Sequence, residues 1–252
     1  MSTIKITTNL ESKISEDSKN EIKKNTTGAK NVLLYKPVPF SNIYNPFLIP
    51  PVNIEKLDQK ILFSKNFIFY SFNNQNMTKS LQKCLINASK EIITFIIDEL
   101  KGNYREVIKN KNGNYFCTNL IKICDQINRI KILKELSNTL SEDSIDEFGT
   151  YPIQNLIEYA STEYEFKLIL CSFNEYEKIL MPALNSHGTF VIQKLIRHIP
   201  ESIRKEFNFI FVKFVSLLSR DTYGAFALDK FISKQKVKKY KIKFLIQLSM
   251  IL

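Results

Sequence analysis

The chain has 252 residues, 44% of them hydrophobic, and 36 Lys and Arg against 25 Asp and Glu leave a formal net charge of +11. That apolar content can fill a sizeable core, which excludes disorder throughout, and the positive excess suits a polyanionic partner, either nucleic acid or an anionic membrane surface. No apolar run approaches the roughly 18 residues of a membrane-spanning helix, and Met1-Ser2-Thr3-Ile4-Lys5 lacks the apolar stretch of a secretion signal, so a soluble intracellular protein is expected.

In chain order, residues 1–35 are rich in Ser, Thr, Asn, Lys and Glu with few aromatics. Such a segment cannot bury enough apolar area to offset the entropy of ordering, and it reads as a flexible polar tail. Residues 36–52 hold Pro37, Pro39, Pro46, Pro50 and Pro51, whose fixed φ and missing N–H disfavour helix. This stretch is expected to run extended, with Phe40, Tyr44, Phe47 and Leu48 pinning it to the first helices. Across 53–252 glycine and proline are sparse, and apolar residues recur at helical spacing in segments of roughly 10 to 15 residues, so the body is all-α.

Within that body one short motif returns. The copies are Thr78-Lys79-Ser80-Leu81-Gln82, Asn114-Tyr115-Phe116-Cys117-Thr118, Thr150-Tyr151-Pro152-Ile153-Gln154, Thr189-Phe190-Val191-Ile192-Gln193 and Ala225-Phe226-Ala227-Leu228-Asp229, at steps of 36, 36, 39 and 36 residues. A fixed period of this size marks a stacked repeat protein. Each unit parses as a motif helix, a second helix and a short third element. In the second unit these are Asn114–Ile123, Gln126–Leu136 and a turn around Asp143–Phe148. Capping residues precede each motif helix at Asn112-Gly113, Asp146-Glu147-Phe148-Gly149, Asn185-Ser186-His187-Gly188 and Asp221-Thr222-Tyr223-Gly224, and Pro152 fits a first turn, where its missing N–H breaks no bond.

Six and seven residues after each motif's first position stand Cys84-Leu85, Leu120-Ile121, Leu156-Ile157, Leu195-Ile196 and Phe231-Ile232. With the third and fourth positions they form one apolar stripe, so the first, second and fifth positions are predicted to lie on the opposite face, free to serve a ligand. Solvent exposure alone gives no reason for Gln to return at Gln82, Gln154 and Gln193.

Gly-Asn-Tyr-Phe-Cys-Thr-Asn-Leu-Ile, Phe-Gly-Thr-Tyr-Pro-Ile-Gln-Asn-Leu-Ile-Glu and, most specifically, His187-Gly-Thr-Phe-Val-Ile-Gln-Lys-Leu-Ile196 closely resemble the repeat of the Pumilio (PUF) family of RNA-binding proteins. The resemblance covers about 53–252. It implies a right-handed, crescent-shaped α-solenoid of about five three-helix repeats with flanking half-repeats, holding single-stranded RNA on its concave face at about one base per repeat. Carried over position by position, it implies base-edge pairs Thr78/Gln82, Asn114/Thr118, Thr150/Gln154, Thr189/Gln193 and Ala225/Asp229, and stacking residues Lys79, Tyr115, Tyr151, Phe190 and Phe226. An amide offers both donor and acceptor to a base edge, and an aromatic ring stacks on a base for about 1–3 kcal/mol.

The family's usual pairs are Asn with Gln for uracil, Cys or Ser with Gln for adenine, and Ser with Glu for guanine; none is intact here. Thr with Gln is nearest to the adenine pair, which implies an A-rich core read at Thr150 and Thr189. The family typically has eight repeats, so five imply a short or divergent member contacting about five bases, with phosphate attraction carrying more of the binding.

Nothing points to catalysis: Asp98, Glu158 and the other carboxylates recur in no pair, His187 reads as a cap or packing residue, and six glycines build no phosphate loop. Cys84, Cys117, Cys124 and Cys171 lack C-x-x-C spacing, and only His187 and His198 could join them, so reduced thiols and no metal or cofactor are expected. Lys234, Lys236, Lys238, Lys239, Lys241 and Lys243 form a basic run, and Tyr240–Leu252 is apolar enough to serve as a closing helix. The expected protein is a monomeric, non-enzymatic cytoplasmic binder of messenger RNA that controls its stability or translation, with effector proteins on the convex face or C-terminal segment. The alternatives are a nucleolar relative in ribosomal RNA processing, and an α-solenoid scaffold holding a peptide.

Overall fold

The computed structural model describes residues 58–234. The polar tail at 1–35, the proline-rich stretch at 36–52, the closing helix expected at 240–252 and the lysines beyond Lys234 lie outside the described residues.

Among the described residues every regular element is a helix. Two short helices, α1 (Gln59–Leu62) and α2 (Lys65–Ser71), lead into the first repeat, which consists of α3 (Gln75–Ile86), α4 (Lys90–Glu99) and α5 (Tyr104–Lys109). The second repeat has α6 (Gly113–Ile123), α7 (Gln126–Leu136) and α8 (Leu140–Asp143), and the third has α9 (Thr150–Tyr159), α10 (Glu163–Cys171) and α11 (Tyr176–Ala183). The fourth has α12 (Gly188–His198), then α13 (Arg204–Lys213) behind a 3-10 turn at Glu201–Ile203, and α14 (Val215–Ser219); α15 (Thr222–Lys234) is the fifth motif helix.

Motif helices stack in order, α3 on α6, α6 on α9, α9 on α12 and α12 on α15, while α4, α7 and α10 stack as a second layer. The expected stripe is what they bury: Phe116, Leu120, Ile121, Ile153, Leu156, Ile157, Val191, Ile192 and Leu195 are fully enclosed. No unit could bury that stripe alone, so each repeat's core is completed by its neighbours, as in an α-solenoid.

Four of the five motif helices, α6, α9, α12 and α15, begin with the same device, while α3 is capped by Asn74, whose side chain accepts from the Asn76 and Met77 N–H groups. An Asx side chain three residues before the glycine accepts its N–H: Asn110 from Gly113 (2.9 Å), Asp146 from Gly149 (2.8 Å), Asn185 from Gly188 (3.0 Å) and Asp221 from Gly224 (2.8 Å). The side chain that caps α6 is thus Asn110 and not the expected Asn112, whose Nδ2 instead donates at 2.7 Å to the carbonyl of Phe72, at the end of α2. Glycine is required next because a Cβ there would lie 2.5–2.7 Å from the carbonyl oxygen of Val107, Asp143, Pro182 or Leu218 at the end of the previous helix. The same cap explains why the short helix of the second repeat lies before the turn expected at Asp143–Phe148. Asp146 also accepts from the Phe148 N–H (2.9 Å), which commits this segment to the entry of α9.

Pro152 sits in the first turn of α9, as its missing N–H demands. Pro182, inside α11, leaves the Lys178 carbonyl without its helical donor, and the Ser141 hydroxyl of the preceding repeat fills the vacancy at 2.5 Å. A buried ion pair ties α7 to α10: Arg129 Nε donates to Glu165 Oε1 at 2.7 Å, and the other carboxylate oxygen accepts from the Ser161 and Thr162 N–H groups.

Candidate nucleic-acid interface

Position two of the motif emerges from the stack in every repeat. Tyr115 is 59% exposed, Tyr151 53%, Phe190 53% and Phe226 54%, and Lys79 is also exposed. Four large rings left half in water at one register, one per helix, form a row that the core stripe cannot use. The fifth position borders this row: Gln82, Thr118, Gln154 and Gln193 are half-buried and Asp229 is exposed.

The first position behaves differently from the expectation that it faces outward. Thr78, Asn114, Thr150 and Thr189 are at most 2% exposed, and Ala225 is half-buried. At one residue per 100° of turn this position borders the apolar stripe, and the following repeat closes over it. The Thr150 hydroxyl donates to the His187 carbonyl at 3.0 Å and the Thr189 hydroxyl to the Tyr223 carbonyl at 3.1 Å, each across a repeat boundary. Thr78 instead turns back to the Ser71 carbonyl (2.7 Å), and Asn114 donates to the Asn110 and Lys111 carbonyls at 3.0 and 2.7 Å.

The pairs named from the sequence therefore meet in two repeats. Gln154 Nε2 donates to Thr150 Oγ1 at 3.1 Å and Gln193 Nε2 to Thr189 Oγ1 at 3.3 Å. In the second repeat Asn114 Oδ1 and Thr118 Oγ1 are buried and unpaired. Gln82 is approached not by Thr78 but by Asn119 of the next motif helix, whose Nδ2 lies 3.5 Å from Gln82 Oε1.

Asn119 occupies a sixth motif position that the sequence reading passed over. Its counterparts Lys83, Asn155, Lys194 and Lys230 are all polar at one offset, a recurrence that could have flagged them. Lys194 pairs with Glu158 of the preceding motif helix, and the Lys194 bond holds the Glu158 carboxyl below its ordinary range. Arg197, His198 and Lys234 gather near it, and burial followed by the Lys194 charge holds the His198 imidazole below its usual value. Arg197 and Lys234 bring cations to the last turns of α12 and α15. Among the described residues no group of His, Cys, Asp and Glu is placed to hold a metal ion.

The family model described as "Pumilio-family RNA binding repeat" matches residues 80–101, 103–137, 144–170 and 183–206. Similar curated proteins are Pumilio homolog 12 of Arabidopsis thaliana, 23% identical over 166 residues covering 65% of this chain, and Pumilio homolog 11 of the same plant, 28% identical over 117 residues covering 45%. The chain spans only 28% and 20% of those relatives' lengths. Among solved structures, the RNA-binding domain of yeast Puf5p bound to AAT2 RNA superposes with a TM-score of 0.69 at 19% identity, over 78% of this chain and 55% of that one. The Puf4 RNA-binding domain bound to the HO endonuclease RNA 3′ UTR recognition sequence gives 0.66 at 20% identity, over 72% and 55%.

Proposed function

The chain belongs to the Pumilio family of RNA-binding repeat proteins, and on that premise we propose that it binds single-stranded RNA along the row formed by Lys79, Tyr115, Tyr151, Phe190 and Phe226. The observation that carries this reading is the row itself. Four aromatic rings, each more than half exposed at one register of a packed helix stack, make a platform for successive bases and serve no purpose in the core. Gln82, Gln154 and Gln193 beside it can meet base edges, while Lys194, Arg197, Lys230 and Lys234 supply attraction for phosphates.

The biological reading is control of messenger RNA stability or translation in the cytoplasm, supported by the family and by the 3′ UTR sequence held in the Puf4 complex. A second reading, ribosomal RNA processing, draws support from the pairs themselves: Asn114/Thr118 and Ala225/Asp229 offer no complete amide reader, which suits recognition by stacking and charge.

Selection of short RNAs against the purified chain, followed by Phe190→Ala with Gln193→Ala, tests both. Sequence-selective binding predicts a loss of at least about tenfold on the selected RNA and little on unrelated RNA, whereas Lys234→Ala lowers affinity evenly. Equal losses on every RNA favour the second reading. A wild-type chain with no affinity for RNA at moderate salt refutes both and leaves a protein scaffold.

A further inference from the structure

In the third and fourth repeats the reading pair is a chain of bonds that runs into the next repeat. Each threonine hydroxyl has one proton and spends it across the boundary, Thr150 on the His187 carbonyl and Thr189 on the Tyr223 carbonyl. With its proton committed, the hydroxyl can only accept, so the amide nitrogen of Gln154 or Gln193 must face it. Oε1 and one remaining N–H are then presented outward in a fixed order. The other repeats lack this arrangement: Thr78 turns back to the Ser71 carbonyl at the end of α2, Gln82 Oε1 is taken by Asn119, Asn114 spends its amide locally, and Ala225 has no polar group.

The order matters because a carboxamide free to flip by half a turn offers donor and acceptor either way round. On their Watson–Crick edges adenine and cytosine set an amino donor beside a ring-nitrogen acceptor, while uracil and guanine set a carbonyl acceptor beside a ring N–H. A fixed amide matches one of these classes and places like against like for the other. We infer that Thr150 and Thr189 are positioning residues that never read a base themselves. Tied to the following repeat, they lock the Gln154 and Gln193 amides so that each repeat discriminates amino-type from keto-type bases. The inference rests on the RNA-binding reading above and adds the group that sets its selectivity. It also ties the reading of one nucleotide to the seating of the next repeat.

The test uses the full chain and its selected RNA with each base in turn at the nucleotides facing the two repeats. The wild type should distinguish amino-type from keto-type bases there by about tenfold. Thr189→Val, which keeps the shape and removes the hydroxyl, should bring that ratio close to one at a single nucleotide, and Thr189→Ser should preserve it. An unchanged ratio in Thr189→Val, or a ratio lost equally in Thr189→Ser, overturns the inference. Gln193→Ala is the separate control: if it leaves the ratio intact, the glutamine reads nothing and the RNA-reading assignment of this repeat falls instead. Should the valine variant fail to fold, nuclear magnetic resonance of the wild type decides. The side-chain amide protons of Gln154 and Gln193 should exchange with water more slowly than those of the exposed Gln59 and Gln75, and equal rates would overturn the lock.

Discussion

Glu165→Gln is the sharpest test of how the repeats are held together. The Glu165 side chain is fully enclosed and that of Arg129 is 7% exposed, with 2.7 Å between Nε and Oε1. The substitution keeps the shape and leaves the Arg129 guanidinium buried without its counter-charge. Breaking a buried pair from one side costs about 3–5 kcal/mol, a large part of the roughly 5–15 kcal/mol that holds a domain folded. For a domain of this size it lowers Tm by about 6–20 °C.

The pH dependence has a definite sign. Burial alone would raise the Glu165 carboxyl, but the Ser161 N–H, Arg129 and Thr162 outweigh it and hold the group below the ordinary carboxylate value. Its contribution is therefore complete above the unfolded carboxyl pKa and is lost as pH falls through the folded one. Urea unfolding followed by circular dichroism should show the wild type and Glu165→Gln well separated at pH 7 and converging below about pH 4. A penalty under about 1 kcal/mol at pH 7, or a gap that does not close in acid, would refute the reasoning. Replacing both partners with apolar residues should recover much of the loss, because no lone buried charge then remains.

Two further outcomes follow from packing. Gly188→Ala would place a Cβ 2.6 Å from Pro182 Cα and O, backbone atoms that cannot turn aside, so the overpacking cost of about 1–3 kcal/mol should exceed the gain in helix propensity and appear as a lower melting temperature. Burial pushes the Cys124 thiol up to about 11 and raises Cys117 further, while Cys171 is exposed. At about pH 8 iodoacetamide and mass spectrometry should therefore find Cys171 modified in the folded protein, and Cys117 and Cys124 modified only after unfolding.

What could be read from the sequence was whatever a single helix decides. The period, the apolar stripe and the outward aromatics at Tyr115, Tyr151, Phe190 and Phe226 follow from side-chain spacing on one helix, and the structure places them accordingly. What could not be read was decided by a neighbouring repeat. Thr150 and Thr189 are polar and lie at the edge of the stripe; their burial depends on carbonyls 37 and 34 residues further on, at His187 and Tyr223. Asn110 and Asn112 both suit a cap by type, and only the Phe72 carbonyl, 40 residues earlier, draws Asn112 away. Pro182 reads locally as a helix breaker, yet Ser141 of the preceding repeat supplies the donor its helix lacks.

Every side-chain hydrogen bond described between repeats joins residues 31 to 40 positions apart, and none reaches further. A segment leaving the ribosome thus finds all its polar partners within about one period of chain already made, so folding can advance unit by unit as synthesis proceeds, without waiting for a distant strand. The same geometry sets the response to force. Pulled from its ends, such an array yields through successive local ruptures, each releasing about one period of chain, and a break near one end leaves the units beyond it intact.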